Sequence, residues 1–205
     1  MRLFLIRHGQ TPSNVIGALD TAVPGPALTE LGMQQASAIG ELLGAEPIAA
    51  VYASSQLRAQ QTAAPLARLR SVELGVRDGL REITAGELEM LTDRRSVMEY
   101  IETCMAWAAG ELDARIRGGE NGHEAFGRFD EVIAEIAASG VESAALVSHG
   151  AMLRSWAGYS VRNLDAAFVS QRVLTNTGVV VLNSDGPDWV AESWLGDAVA
   201  TGLPE

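Results

Sequence analysis

The chain has 205 residues, of which 47% are apolar and 20% are charged, and its formal net charge is −11. This composition predicts one soluble globular domain over residues 1–205. An acidic surface repels nucleic acid and anionic membranes, so we expect neither as a partner.

The cations and the cysteine content narrow the chemistry further. All 15 cationic side chains are arginine, which excludes Schiff-base enzymes, P-loop proteins and Ser-x-x-Lys hydrolases because each needs a lysine. The single cysteine, Cys104, can form neither an intramolecular disulfide nor a thiolate metal cluster. The apolar N-terminal run is too short for a signal peptide and is cut by Arg7. We therefore expect a cytoplasmic protein without a membrane span.

The first half of the chain predicts strands that alternate with helices. Arg2–Ile6 is a short apolar run typical of a buried strand. Thr29 predicts the N-cap of a helix, whose inner side we expect to carry Leu31, Ala38, Leu42 and Leu43. The other predicted elements of this half are a Gly- and Pro-rich loop at Gly17–Pro26, the helix itself at Thr29–Leu43, a strand at Ile48–Ala53 and a helix at Gln56–Leu69 that contains Pro65.

The second half continues the same alternation. Its predicted elements are a short strand at Val72–Leu74, helices at Arg94–Ala109 and Gly122–Ala138, a strand at Ala144–Val147, a helix at Gly150–Ala157 and a strand at Val179–Leu182. After Asn183 the pattern is weak, and we expect Trp189 and Trp194 to attach this tail to the body. The alternation predicts an α/β fold, a three-layer sandwich in which a mostly parallel central sheet has helices on both faces.

Polar residues follow three of the predicted strands at the points where the strands end. Arg7 and His8 end the first strand, and Arg58 lies one turn into the helix after the second strand. His149 and Gly150 follow the strand at residues 144–147. Because ligands of open α/β sheets bind beyond the carboxyl ends of the strands, we expect these side chains to meet at one edge of the sheet.

Two imidazoles and two guanidinium groups at one edge are typical of phosphoryl transfer. A neutral imidazole is a competent nucleophile at phosphorus, and guanidinium groups neutralise the charge on the phosphoryl oxygens. The helix that starts at Gly150 can add backbone N–H donors. A leaving alkoxide also needs a carboxylic acid, which position alone does not identify. A metal site is the weaker alternative, because the sequence has only three histidines and no His-x-His or His-x-x-x-His spacing.

A series of short motifs resembles the histidine phosphatase superfamily, the phosphoglycerate-mutase-like proteins. The first motif is Arg7-His8-Gly9-Gln10-Thr11 followed by Asn14, and the likeness runs in order through nearly the whole chain. The remaining motifs are Leu28-Thr29-Glu30-Leu31-Gly32, Ser54-Ser55-Gln56-Leu57-Arg58-Ala59-Gln60-Gln61-Thr62-Ala63, Leu80-Arg81-Glu82-Ile83 with Gly86 and Glu89, Gly118-Gly119-Glu120, Ser148-His149-Gly150 and Asn176-Thr177.

The resemblance implies a role for each site residue. His8 would be the nucleophile that becomes phosphorylated, and Glu82 would protonate the leaving oxygen and then activate water. Arg7, Arg58 and His149 would hold the phosphoryl oxygens, and the implied substrate-binding residues are Gln10, Thr11, Asn14 and Gly150. No metal or organic cofactor is implied.

Departures from the family pattern leave the substrate open. Gln10 replaces the commoner Glu, Met90 stands where many members have Gly, and Arg117 and Asn121 replace the usual Pro and Ser beside Gly-Gly-Glu. His123 follows this altered segment and could touch substrate. A surface position beside an N-cap is the simpler expectation for His123, since Asn121 and Glu124 have the spacing of a capping box.

The middle of the chain favours a phosphatase. The segment between Glu82 and Gly118 is shorter than in the mutases, and the sequence offers few cations beyond the predicted pocket, so we predict a phosphomonoesterase that acts on small organic phosphates. We expect the Met and aromatic residues at 90–107 to pack in the core, with a hydrophobic wall over the pocket as the alternative. The competing functions are a cofactor-dependent phosphoglycerate mutase and a non-catalytic protein that binds a phosphorylated ligand. A homodimer is a plausible assembly.

Overall fold

The structure, a computed structural model, describes residues 1–185 and 188–200. Its strands are β1 (Arg2–Arg7), β2 (Ala50–Ser54), β3 (Leu74–Arg77), β4 (Ser143–Ser148), β5 (Val179–Asp185), β6 (Asp188–Trp194) and β7 (Asp197–Ala198). They form one mixed sheet in the order β3-β2-β4-β1-β5-β6-β7.

Seven α-helices accompany the sheet within the described residues. They are α1 (Pro12–Ile16), α2 (Glu30–Leu43), α3 (Leu57–Arg70), α4 (Arg94–Ala108), α5 (Gly122–Ala138), α6 (Gly150–Ser160) and α7 (Ala166–Gln171). Two 3₁₀ turns, Asp78–Leu80 and Gly86–Leu88, lie between β3 and α4. None of these helices combines the length and the apolar character that a bilayer span requires.

Strand β1 is covered by helices on both faces. Leu3 and Leu5 pack into a core shared with α4, α5 and α6, whereas Phe4 and Ile6 pack into a core shared with α2 and α3. All four side chains are almost fully buried, which explains why this strand is continuously apolar in the sequence. The predicted three-layer α/β architecture is confirmed.

The sheet has a parallel half and an antiparallel half. Strands β3, β2, β4 and β1 are parallel, so their carboxyl ends lie at one edge. Strands β5, β6 and β7 extend the sheet in antiparallel fashion. Two of these were not predicted, because the sequence after Asn183 has little alternation. Trp194 nevertheless attaches this segment as expected, since it is buried and meets the Phe168 ring edge-on, and Trp189 is half-buried.

Helix α2 buries a different face from the predicted one. Thr29 is the N-cap as expected, and its hydroxyl accepts a hydrogen bond from the Gly32 amide at 3.0 Å. Leu31, Ala38 and Leu42 are exposed, however, so their predicted inward position was wrong. The buried residues are Gly32, Ala36, Ile39, Gly40 and Leu43. Small residues on this face allow α2 to lie close against α3, and this close packing outweighs the burial of two leucines.

Helix α5 has the predicted bounds and the predicted start. The Asn121 side chain accepts a hydrogen bond from the Glu124 amide at 3.0 Å, and the Glu124 carboxylate accepts one from the Asn121 amide at 3.1 Å. This reciprocal pair is a capping box. His123 lies in the first turn with 61% of its side chain exposed, which confirms the surface position expected for it.

The close backbone contact between the loop after β1 and helix α2 can be tested by substitution. A Cβ at Gly32 would lie 2.2 Å from the Gln10 carbonyl oxygen, so we expect Gly32→Ala to lower the free energy of unfolding by about 1–3 kcal/mol. Gly127 is a matched control, because a Cβ there meets nothing within 4 Å on an exposed turn of α5. Gly127→Ala should raise stability by up to about 1 kcal/mol. Chemical denaturation measures both, and equal effects would contradict the packing described.

Candidate active site

The carboxyl ends of β1 and β4 bring two histidines together. His8 directly follows β1, and His149 follows β4 as the N-cap of α6. A backbone hydrogen bond of 3.0 Å from the His8 amide to the Ser148 carbonyl joins the two strand ends. The two imidazole centroids are 5.0 Å apart, and both side chains are buried. The structure therefore places the two histidines side by side.

Hydrogen bonds fix the tautomer of His8. Its Nδ1 lies 2.7 Å from the Gly9 carbonyl oxygen, and because a carbonyl only accepts, Nδ1 must carry the proton. Its Nε2 accepts a hydrogen bond from Nε of Arg58 at 3.2 Å. Nε2 is therefore the unprotonated nitrogen, with the lone pair that a nucleophile requires.

Burial and neighbouring cations keep both imidazoles neutral. Burial, with the charges of Arg58 and Arg7, lowers the pKa of His8 well below 6.5. Burial likewise lowers the pKa of His149 well below 6.5, and Arg58 adds to the effect. Each of these causes disfavours the protonated ring. His8 is consequently a neutral base at physiological pH.

Two arginines, Arg58 buried and Arg7 partly buried, supply the positive charge of the site. Nη1 of Arg7 donates to the Leu174 carbonyl at 2.7 Å, and Nη2 of Arg58 donates to the Asp20 carbonyl at 2.9 Å. Several buried polar atoms here have no hydrogen-bond partner among the described residues, namely Nε of Arg7, Nη1 of Arg58 and both ring nitrogens of His149. Buried polar atoms normally have partners. Because Arg7 and Arg58 line the same cavity, their unpartnered donors indicate a site for a ligand rich in acceptor oxygens.

Glu82 is held by the start of helix α6. Its carboxylate accepts hydrogen bonds from the backbone amides of Met152 at 2.9 Å and Ala151 at 3.2 Å. The sequence predicted that this helix start would donate to a phosphate, but these two N–H groups orient Glu82 instead. Gly150 lies just before them and allows a close approach of Arg7, because a Cβ there would lie 3.1 Å from Nε of that arginine.

A buried ion pair fixes the backbone around Glu82. Arg128 of α5 donates to the carbonyls of Gly79, Arg81 and Glu82 at 2.7–3.1 Å. Glu120, the last residue of the Gly-Gly-Glu motif, binds the same guanidinium at 2.7 and 3.0 Å. Burial opposes ionisation of Glu120, but the hydrogen bond and charge of Arg128 outweigh it and hold the pKa of Glu120 below its ordinary value. Glu120 therefore positions Glu82 through Arg128.

Gln56 ties the Gly- and Pro-rich loop before α2 to the same segment. Its Oε1 accepts from the Glu82 amide at 2.9 Å, and its Nε2 donates to the carbonyls of Thr21 and Ala22 at 2.9 and 3.1 Å. Glu89 accepts from the amides of Thr21 and Ala22 at 2.8 and 3.0 Å and from the Thr21 hydroxyl. These bonds make the loop a fixed wall of the site.

The catalytic side chains open into one cavity of about 220 Å³. The predicted residues that line it are Arg7, His8, Thr11, Asn14, Arg58, Glu82 and Gly150. Gln10 does not line it, because its side-chain oxygen accepts from the Thr29 hydroxyl at 3.0 Å. His149 is fully buried beside His8, with the two ring centroids 5.0 Å apart, and is not among the residues that line the cavity. A larger groove of about 690 Å³ lies between α2 and β5–β7 and is lined by none of the predicted catalytic or substrate-binding residues.

Several cavity residues were missed by sequence reasoning. They include Asp20 and Leu19 from the loop before α2 and Leu174 from the segment after α7. In the 90–107 segment Trp107 is in the core and Tyr100 and Ile101 line the cavity, whereas Met90 and Met98 are exposed and fit neither expectation. No local motif marks these residues, because each reaches the cavity only through tertiary packing. Within residues 1–185 and 188–200, no cluster of three His, Cys, Asp or Glu side chains is arranged to hold a metal ion.

Comparison with known proteins identifies a family for this geometry. The family model described as "Histidine phosphatase superfamily (branch 1)" matches residues 3–196. The adenosylcobalamin/α-ribazole phosphatase of Salmonella typhimurium is 35% identical over 155 residues, which are 75% of this chain and 76% of that protein. The PE-PGRS family protein PE_PGRS11 of Mycobacterium tuberculosis is 48% identical over 107 residues. That match covers 51% of this chain but only 18% of the length of PE_PGRS11.

A solved structure has the same fold. The mycobacterial glucosyl-3-phosphoglycerate phosphatase, solved as a complex with VO3, superposes with a TM-score of 0.79 at 26% identity. The superposition covers 96% of this chain and 99% of that one.

The neutral state of His8 can be measured directly. Its pKa is depressed by burial and by two cations, so we expect its ring to stay neutral as the pH falls through 6.5. Arg58→Met removes one of those cations and the donor to Nε2, which should raise the pKa of His8. Arg77→Met, on the exposed end of β3, is the control that should leave it unchanged.

NMR titration of ¹⁵N-labelled histidine rings, assigned by single substitutions, gives the pKa in each protein. A ring that titrates at or above 6.5 in the unsubstituted protein would contradict the electrostatics described, and so would a pKa that Arg58→Met leaves in place.

The Arg128–Glu120 pair should matter far more for stability than an exposed pair. Arg128→Met leaves three backbone carbonyls and part of a buried carboxylate without a partner, so we expect a loss of about 3 kcal/mol in unfolding free energy. Arg77 and Glu135 form a comparable pair on the surface, and Arg77→Met should cost less than about 1 kcal/mol. Urea denaturation compares the two, and similar losses would show that Arg128 does not organise this segment.

Proposed function

We propose that this chain, which belongs to the histidine phosphatase superfamily (branch 1), hydrolyses small organic phosphomonoesters through a phosphohistidine on His8. The chain is a phosphatase of that superfamily. The observation that carries the proposed mechanism is the state of His8, whose Nε2 is unprotonated at the head of a cavity lined by two guanidinium groups. The proposed reaction has two steps, and each of these side chains acts in at least one of them.

The first step is transfer of the phosphoryl group to His8. Nε2 attacks phosphorus, the P–N bond forms and the P–O bond to the leaving group breaks. Arg7 and Arg58 neutralise the charge on the equatorial oxygens, and His149 contributes a ring nitrogen that has no partner among the described residues. Glu82 gives its proton to the leaving oxygen. The support for this role is that α6 and Arg128 hold Glu82 at the cavity.

The second step is hydrolysis of the phosphohistidine. The Glu82 carboxylate, having lost its proton, takes one from a water molecule as the water attacks phosphorus. The P–N bond then breaks, and His8 returns to its neutral form as phosphate leaves. The Nδ1–H bond to the Gly9 carbonyl keeps the ring in the same orientation and tautomer throughout both steps.

The names of the similar phosphatases, for α-ribazole and for glucosyl-3-phosphoglycerate, support a small organic phosphate as substrate. The cavity of about 220 Å³ suits a ligand of that class. Four sequence predictions remain predictions: a single catalytic domain over residues 1–205, substrate contacts by Gln10, Thr11, Asn14 and Gly150, a cytoplasmic location, and a homodimer.

Substitution of the nucleophile tests the proposal. The purified protein should release p-nitrophenol from p-nitrophenyl phosphate in the presence of EDTA, and His8→Ala should abolish this turnover. His123→Ala is the matched control on the surface histidine and should keep full activity. Retained turnover in His8→Ala would eliminate the mechanism.

Substitution of the acid should trap the intermediate. The p-nitrophenolate group leaves without a proton, so Glu82→Gln slows the second step more than the first. We expect turnover to fall at least about 100-fold while intact-mass spectrometry finds one added HPO₃ on the protein, lost after acid treatment. Isomerisation of 3-phosphoglycerate with its bisphosphate, measured in parallel, should be absent. Phosphate release without any phosphoenzyme in Glu82→Gln would contradict the two-step scheme.

A further inference from the structure

A carboxylate stands in the cavity beside the groups that attract phosphate. Asp20 lines the same cavity as His8, Arg7 and Arg58, and only 11% of its side chain is exposed. Its Oδ1 lies 4.0 Å from Nη1 of Arg58. Its Oδ2 accepts the hydroxyl hydrogen of Ser13, another cavity residue. A carboxylate therefore shares this cavity with the two guanidinium groups.

Hydrogen bonds hold the Asp20 backbone and carboxylate in place. The Asp20 carbonyl accepts Nη2 of Arg58 at 2.9 Å, and its amide donates to the Ala18 carbonyl at 3.0 Å. The next residue, Thr21, is bound through its amide, hydroxyl and carbonyl by Glu89 and Gln56. The backbone of Asp20 is thus fixed on both sides, and Ser13 fixes its side chain.

The hydrogen bonds alone do not call for a charged residue here. The backbone carbonyl of Asp20 binds Arg58 whatever its side chain, and the neutral oxygen of an asparagine would accept the Ser13 hydroxyl equally well. What the carboxylate adds is repulsion of anions, which is large over a few ångströms in a partly buried site. Asp20 therefore subtracts from the attraction that Arg7 and Arg58 exert on every anion in the cavity.

We propose that Asp20 is a specificity-determining residue that weakens anion binding and selects phosphomonoesters whose leaving group carries no second negative charge. This inference rests on the proposed function. Two guanidinium groups attract the phosphoryl group strongly enough for it to bind despite Asp20. A carboxylate or a further phosphate on the leaving group would be repelled by Asp20. The apolar wall of Leu19, Ile101 and Leu174 in the same cavity fits an uncharged leaving group.

Arg154 is the cation that could oppose this selection. It lines the cavity, but its Nε and Nη2 donate to the Val169 carbonyl at 3.0 and 2.7 Å, and Nη2 also donates to the Ser170 carbonyl at 3.2 Å. Most of its donors therefore serve the packing of α6 against α7. If Arg154 nonetheless bound a second anion, the enzyme would prefer doubly anionic substrates, and the experiment below distinguishes this outcome.

The first arm of the test measures binding without turnover. Isothermal titration calorimetry with inorganic phosphate at constant pH and ionic strength compares the unsubstituted protein with Asp20→Asn. We expect the variant to bind phosphate at least about tenfold more tightly, because one repulsive charge is gone. Asp113→Asn, which removes an exposed carboxylate beside His123, should leave the affinity unchanged. Equal affinity in Asp20→Asn overturns the proposal.

The second arm measures selection between two esters that differ by one carboxylate. The unsubstituted protein should have a higher kcat/KM for O-phosphoethanolamine than for O-phosphoserine, and Asp20→Asn should reduce that ratio at least about tenfold. A preference for O-phosphoserine in the unsubstituted protein would overturn the proposal and assign Arg154 as an anion receptor. An equal loss on both esters in the variant would also overturn it, since Asp20 would then only position Arg58. If neither ester nor p-nitrophenyl phosphate is hydrolysed, the proposed function fails, while the phosphate titration still decides the role of Asp20.

Discussion

The burial of positive charge next to two neutral imidazoles is the constraint on which the site depends. Arg7 lies at the end of β1 and Arg58 lies in the first turn of α3, and burial lowers the pKa of each guanidinium. Such burial is costly unless an anion compensates it. The chain as a whole carries a net charge of −11, so this basic cavity is a local exception. An anion with several oxygens satisfies the unpartnered donors of this cavity best. The same burial and positive charge keep His8 neutral, and a neutral imidazole is suited to attack phosphorus.

Hydrogen bonds around the cavity hold its catalytic side chains in position. Glu120 and Arg128 fix the segment that carries Glu82, and Gln56 joins that segment to the loop before α2. Because these links mostly reach backbone atoms, they hold the catalytic side chain through the chain that carries it. The same loop brings Asp20 to the cavity, so the elements that position the catalytic groups also set the charge that a substrate meets.

Much of the fold and of the site could be predicted from the sequence because local patterns mark it. The wrong or missing predictions concern features that depend on contacts between distant parts of the chain. Strand β1 and helix α5 are marked by a continuous apolar run and by a capping box, which are local signals. The prediction for the buried face of α2 was wrong because close packing against α3 at Gly40 and against the loop after β1 at Gly32 was favoured over the burial of Leu42, and such packing depends on distant parts of the chain. His8, His149 and Arg58 follow strand ends that share one edge. Asp20 reaches the cavity only through long-range hydrogen bonds, which no local pattern records.

A crystal structure of the protein with orthovanadate tests the central claim most directly. Vanadate adopts the five-coordinate geometry of phosphoryl transfer, so its position reports which groups act on phosphorus. We expect vanadium bonded to Nε2 of His8, with its oxygens in contact with Nε of Arg7, Nη1 of Arg58 and a ring nitrogen of His149. Vanadium bound elsewhere, or a His149 ring that hydrogen-bonds to protein instead of to the anion, would contradict it.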